Sequence, residues 1–122
     1  EEQAQRRFLI QGYGDGGFRV AGERHRGGVL VLPTGVVAWP VTAPPDITEE
    51  SLRPAIDAAA DIDVLLVGCG ASIAPLDREM IRRIREEHGI AIDAMDTGAA
   101  CRTYNVLLLD GRQVAAALIP VA

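Results

Sequence analysis

The chain has no lysine: its twelve basic residues are all arginine. That excludes Schiff-base chemistry on a lysine amine and a P-loop lysine reaching nucleotide phosphates. Positive charge is in deficit overall, with a net charge of -5. A field of that sign repels polyanions and argues against a duplex nucleic-acid partner. Cysteine is sparse, and Cys69 and Cys101 form neither a CxxC pair nor a secreted disulfide framework, so reduced thiols are expected. No apolar run approaches the roughly 20 residues needed to span a bilayer. The opening EEQAQRRF lacks the hydrophobic region of a signal peptide, so a cytoplasmic location and no stable membrane insertion are expected. The chain begins without methionine, which leaves an upstream segment open. What is present suffices for a core: 122 residues, 48% hydrophobic, the size of one domain needing no metal or disulfide staple.

Residues 8–40 alternate β-prone pieces (Phe8–Gln11, Phe18–Ala21, Gly28–Leu32, Val36–Trp39) with the turns GYGDGG, ERHRGG and PTG, as antiparallel strands do. Trp39, beside Pro40, either closes a core edge or anchors a partner. Prolines 40, 44 and 45 then break the pattern before a short helix from Ser51, with Pro54 in its first turn. Across 46–120 strands and helices alternate: Val64–Val67, a helix from Pro75 to His88, Ile90–Ala94, a helix from about Gly98 to Leu109, and Val114–Ile119. The fold class predicted is α/β, with a mixed sheet. In the middle helix Ile73, Leu76, Met80, Ile81 and Ile84 form an apolar stripe opposite arginine-rich positions. Gly89 suits its left-handed cap. The last helix, rich in alanine and leucine, is expected to be buried on most sides.

Gly12, Gly14 and Gly17 satisfy G-x-G-x-x-G in letter only, because Phe18-Arg-Val continues as a strand where a dinucleotide site needs a helix. The turn Gly68-Cys69-Gly70-Ala71-Ser72 follows a fully apolar strand. It either cradles an anion on its N–H groups or is a tight crossover in which small residues let strand and helix approach. Cys69 has no obvious histidine partner, which favours a buried, inert thiol over a nucleophile. Asp96 and Thr97 both suit the cap of the next helix, Thr97 better. Arg102, Thr103, Tyr104 and Asn105 need polar partners in a mostly buried helix. Both segments follow carboxyl ends of strands, where ligands bind in open α/β sheets. Gly68, Cys69, Gly70, Ser72, Asp96, Thr97, Arg102, Tyr104 and Asn105 therefore form one candidate cleft. Arg102 would recognise a carboxylate or phosphate there, with Tyr104 or Asp96 moving protons. Alternatively Arg102 pairs with Asp96 or Asp110 and Asn105 satisfies loop backbone. Asp61 and Asp63 lie at the far end of their strand, so no metal is expected, and no cofactor or catalytic set is indicated.

The blocks IQGYGDGGFRV, GGVLVLPTGVVAW, VLLVGCGAS and MDTGAACRTYNVLLLDGRQVAAALIP resemble one small domain family along nearly the whole chain: the MTH nine-thirty-eight-like family, which includes a mitochondrial complex I assembly factor. Thr97, Ala100, Arg102, Thr103, Tyr104 and Asn105 fall on its T-x-x-A-x-R-T-Y-N pattern. Gly68 and Gly70 match its glycine turn, whereas Cys69 stands where relatives often carry threonine. The resemblance implies three layers, a mixed central sheet flanked by helices and by the β-rich N-terminal portion. It also implies a non-enzymatic helper of respiratory-complex assembly with protein partners. A homo-oligomer formed through an exposed strand edge is a further possibility.

Overall fold

The computed structural model describes residues 8–122. Its first three strands, β1 (Ile10–Gly14), β2 (Gly17–Val20) and β3 (Glu23–Arg26), form a small antiparallel sheet in that order. The near-fingerprint glycines lie in its first hairpin, where Gly14 pairs with Gly17 around Asp15 and Gly16. Both turn residues have positive φ, 54° and 77°, the Asp-Gly arrangement that matches strand twist. β1 starts two residues later than the apolar signal at Phe8 suggests. Glu23–Arg26, read from sequence as turn material, is the edge strand β3. Its charged side chains suit a strand that only one neighbour covers.

The central sheet has five strands: β4 (Gly28–Leu32), β5 (Gly35–Trp39), β6 (Val64–Gly68), β7 (Ala91–Met95) and β8 (Val114–Leu118), in the order β5-β4-β8-β6-β7. β6 runs parallel to β7 and β8, whereas β4 pairs antiparallel with β5 and β8, so the sheet is mixed. β4 and β5 thus belong with the later α/β elements.

Residue alternation divides the core into two. Leu30, Leu65, Val67, Ala115 and Ala117 face one side, with Leu52, Ile56, Met80 and Ile84. Val29, Val31, Leu66, Ala116 and Leu118 face the other, with Ala100, Cys101, Tyr104 and Leu108 and the β2 residues Phe18 and Val20. Three layers result. Helices α1 (Arg53–Asp57) and α2 (Arg78–His88) cover one face; α3 (Thr97–Leu109) and the small sheet cover the other. Single 3-10 turns occupy Pro44–Asp46 and Ala59–Asp61.

Helix starts differ from the sequence expectation. α1 begins at Arg53 with Pro54 in its first turn, while Ser51 lies outside it in a reciprocal pair of hydrogen bonds with Thr48. α2 begins at Arg78, because Asp77 accepts from the Glu79 N–H as its cap. Pro75 precedes it in a loop, and Ile73, assigned by spacing to the apolar stripe, is 66% exposed. Gly89 does close α2 at φ 75°. Trp39 is core, its Nε1 donating to Ser51 O at 2.8 Å. α3 is less enclosed than its composition suggests, since Val106 and Leu109 are exposed.

Candidate functional site

β6, β7 and β8 all end on the same edge of the sheet, at Gly68, Met95 and Leu118. The chain beyond them is held by backbone bonds that continue the sheet: Cys69 N to Met95 O at 2.8 Å and Ile119 N to Gly68 O at 3.0 Å. Thr97 locks this end. Its N–H donates to Gly70 O at 2.8 Å, and its hydroxyl accepts from Gly70 N at 2.9 Å while donating to Ile119 O at 2.7 Å. The side chain is fully buried. Gly68 permits this approach, because a Cβ there would lie 2.9 Å from the Thr97 Cα.

The cap of α3 is therefore Asp96, not Thr97. Asp96 Oδ1 accepts from Ala99 N at 2.8 Å, while Thr97 is the first helical residue. Two adjacent residues could each cap, and burial decides between them. Only Thr97 meets the Gly70 N–H and the Ile119 carbonyl, which have no water to turn to.

Beside this lock lies an open cleft of about 260 Å³ lined by Tyr13, Gly70, Ala71, Asp96, Gly98 and Val121. The first hairpin forms one wall and is tied down by Gly16 N donating to Val121 O at 2.8 Å. Tyr13 crosses to α3, where its hydroxyl accepts from Arg102 Nη1 at 3.3 Å. Gly98 makes room: a Cβ there would lie 2.7 Å from Tyr13 Oη. Arg102 is exposed and, among the described residues, pairs with neither Asp96 nor Asp110 nor any other carboxylate.

The sequence candidates divide. Gly70 and Asp96 line the cleft, Gly68 and Thr97 meet in the lock that holds Gly70, and Arg102 reaches Tyr13 of the cleft lining. Ser72 is exposed on the loop beyond Ala71. Cys69 is buried in the opposite layer, with Sγ 3.7 Å from Ala74 O. Cys101 packs on the α3 side, so the central sheet separates the two free thiols. Burial pushes the Cys101 thiol up to about 12, against the smaller pull of Arg102.

Asn105 holds β1. Its Oδ1 accepts from Ile10 N at 2.9 Å and its Nδ2 donates to Ile10 O at 2.8 Å, as a neighbouring strand would. Tyr104 lies away from the cleft, with Leu108 and Val114 in a separate notch, and burial raises its phenol above the ordinary value. Tyr13, Ala71, Gly98 and Val121 were not among the sequence candidates. An aromatic residue set between glycines on a hairpin was the available signal for Tyr13.

Glu49, Glu87 and His88 also lie together, within reach of a common centre. Glu49 is already engaged by Arg83, whose Nη2 donates to its Oε1 at 2.9 Å.

A family model described as "Protein of unknown function (DUF498/DUF598)" matches residues 10–119. An uncharacterised protein of Rhodobacter capsulatus is 42% identical over 92% of this chain and 84% of its own length. The human protein named NADH dehydrogenase [ubiquinone] 1 alpha subcomplex assembly factor 3 is 35% identical over 98% of this chain, which spans 65% of that longer protein. A Bordetella pertussis solution structure described as a Mth938-like domain superposes with a TM-score of 0.82 at 34% identity, covering 94% of this chain and 87% of that one. Among the described residues no helix is long and apolar enough to cross a membrane. By sequence match and by fold together, the chain belongs to the DUF498/DUF598 family, the Mth938-like proteins.

Proposed function

We propose that this chain is a docking protein that assists the assembly of an NADH dehydrogenase, acting from the cytoplasm through the cleft at the carboxyl ends of β6, β7 and β8. One observation carries the reading. The polar groups at that edge are committed to one another: Thr97 to Gly70 and Ile119, Asp96 to the α3 start. What is offered to solvent is Tyr13 with Arg102, exposed together beside an open cleft. An aromatic residue and an arginine are the types that dominate binding energy at protein interfaces. Arg102 has no carboxylate of its own, so the partner segment it suits presents an acidic side chain. The relatives named as assembly factors support the same role. Binding, not catalysis, is the chemistry this arrangement suits.

The test is genetic complementation in the native cell. Assembled NADH dehydrogenase, measured on native gels, falls when the gene is deleted and recovers with the wild-type chain. It is expected to recover poorly with Arg102→Glu or Tyr13→Ala, both exposed positions, in variants whose melting temperature is measured beside the wild type and expected to match it. Normal enzyme levels in the deletion, or equal rescue by all three chains, would remove the proposal.

A further inference from the structure

The outer face of α3 carries an apolar side chain between two unpaired charges. Val106 is 60% exposed there. It sits midway between Arg102 and Asp110, the residue that caps the C-terminal end of the helix. Arg102, Val106 and Asp110 follow at i, i+4 and i+8, so they form one row that drifts by about 80° around the helix. All three are exposed. The ends of the row have opposite sign, and among the described residues neither end forms an ion pair. Arg102 donates from Nη1 to the Tyr13 hydroxyl, a neutral partner that leaves its charge uncompensated. Eight positions along a helix are about 12 Å, too far for the two charges to pair with each other.

This row is complementary to itself. A two-fold axis through Val106 sets a second α3 antiparallel to the first, and each residue then faces the one equally far on the other side of Val106. Arg102 meets Asp110 of the second copy, and Asp110 meets its Arg102. Val106 meets Val106, and the half-buried Thr103 meets Leu109, which is 49% exposed. Each charge pair lies only about 6 Å from the axis, within reach of an arginine side chain even where the helices cross at an angle. A parallel arrangement sets like charges opposite each other, and a slip by one turn leaves them unpaired. Opposite charges flanking an apolar centre at equal distances therefore select one partner, a second copy of this chain in one register.

We propose that the chain forms a two-fold dimer through the outer face of α3, with Val106 on the axis and Arg102 of each copy paired with Asp110 of the other. A helix of 13 residues is about 20 Å long, so the interface is small and the dimer weak and reversible. It uses a helix face, not a strand edge. The inference goes beyond the docking reading and shares only Arg102 with it. The dimer is read on the purified chain with no partner present, so either assignment can fail without the other.

Sedimentation velocity of the purified chain across the micromolar range tests it. Wild type is expected to pass from monomer to dimer as concentration rises, and to do so less readily at high salt. Arg102→Glu and Asp110→Arg should each weaken the dimer roughly tenfold or more, because two pairs turn repulsive at once. Both positions are exposed, and thermal melts by circular dichroism check that each variant stays folded. An equimolar mixture of the two variants should associate as wild type does, since both pairs across the axis are again opposite in sign. The double variant should do the same on its own. A wild-type chain that stays monomeric throughout, single variants that associate like wild type, or a mixture and a double variant that both stay monomeric would overturn the proposal.

Discussion

Replacing Thr97 by valine tests the lock at the carboxyl edge of the sheet. The two side chains have nearly the same shape, so packing is kept and the hydroxyl alone is lost. With it go the bond from Gly70 N at 2.9 Å and the bond to Ile119 O at 2.7 Å. Thr97 and Gly70 are buried and Ile119 is 3% exposed, so water cannot readily replace the hydroxyl. A buried polar group left without a partner costs about 1–3 kcal/mol. With two such groups, and a small return from the added methyl, Thr97→Val should destabilise by about 2–4 kcal/mol. For a chain of this size that lowers Tm by roughly 10 °C. Urea unfolding followed by circular dichroism measures it as a shift in midpoint at unchanged slope. Thr97→Ser retains the hydroxyl and should lose about 1 kcal/mol for the missing methyl. Asp96→Ala removes only a helix cap and should lose about 1 kcal/mol. A Thr97→Val loss below about 0.5 kcal/mol, or equal losses for valine and serine, would refute the two-bond lock.

Four further outcomes follow from the same structure. Gly68→Ala should destabilise by about 1–3 kcal/mol, because its Cβ would press on the Thr97 backbone, which cannot swing aside. Gly98→Ala should cost much less while breaking the Tyr13–Arg102 contact, since the atom it meets is the movable tip of Tyr13; chemical denaturation compares the two. Asn105→Ala should release β1, seen as faster hydrogen exchange at Ile10 N–H. In alkali, the Cys101 thiol ionises near its ordinary 9.0 in the unfolded chain and near 12 in the native one. Its contribution is complete below pH 9 and is lost as pH rises towards 12. Cys101→Ala should therefore flatten that part of the stability–pH curve, and the native thiol should resist alkylation at pH 8.

The sheet and its helices were readable from apolar runs and the turns that end them, since Val64–Gly68 and Val114–Leu118 are buried almost throughout and need no long-range information. Boundaries set by tertiary contacts were not readable. Periodicity carried α2 back to Pro75 and Ile73, but the Asp77 cap and the exposure of Ile73 stop it three residues later. Asp96 and Thr97 are equivalent as local capping signals. Thr97 is drawn inward by Gly70 and Ile119, 27 and 22 residues away. The grouping of Arg102 with Tyr104 fails for a simpler reason. Helix residues two positions apart in sequence point about 200° apart, so Arg102 reaches Tyr13 beside the cleft while Tyr104 faces the core and the notch. Tyr13 reached the site only through the packing of a hairpin on α3, which no local pattern encodes.

The central claim is that the Tyr13–Arg102 cleft docks a subunit of NADH dehydrogenase. The most direct measurement is quantitative mass spectrometry of what co-purifies with the tagged chain from its native cells, wild type beside Arg102→Glu at equal expression. The account predicts specific enrichment of NADH dehydrogenase subunits on wild type and its loss on the variant. Enrichment that survives Arg102→Glu, or recovery of the wild-type chain without those subunits, would contradict it.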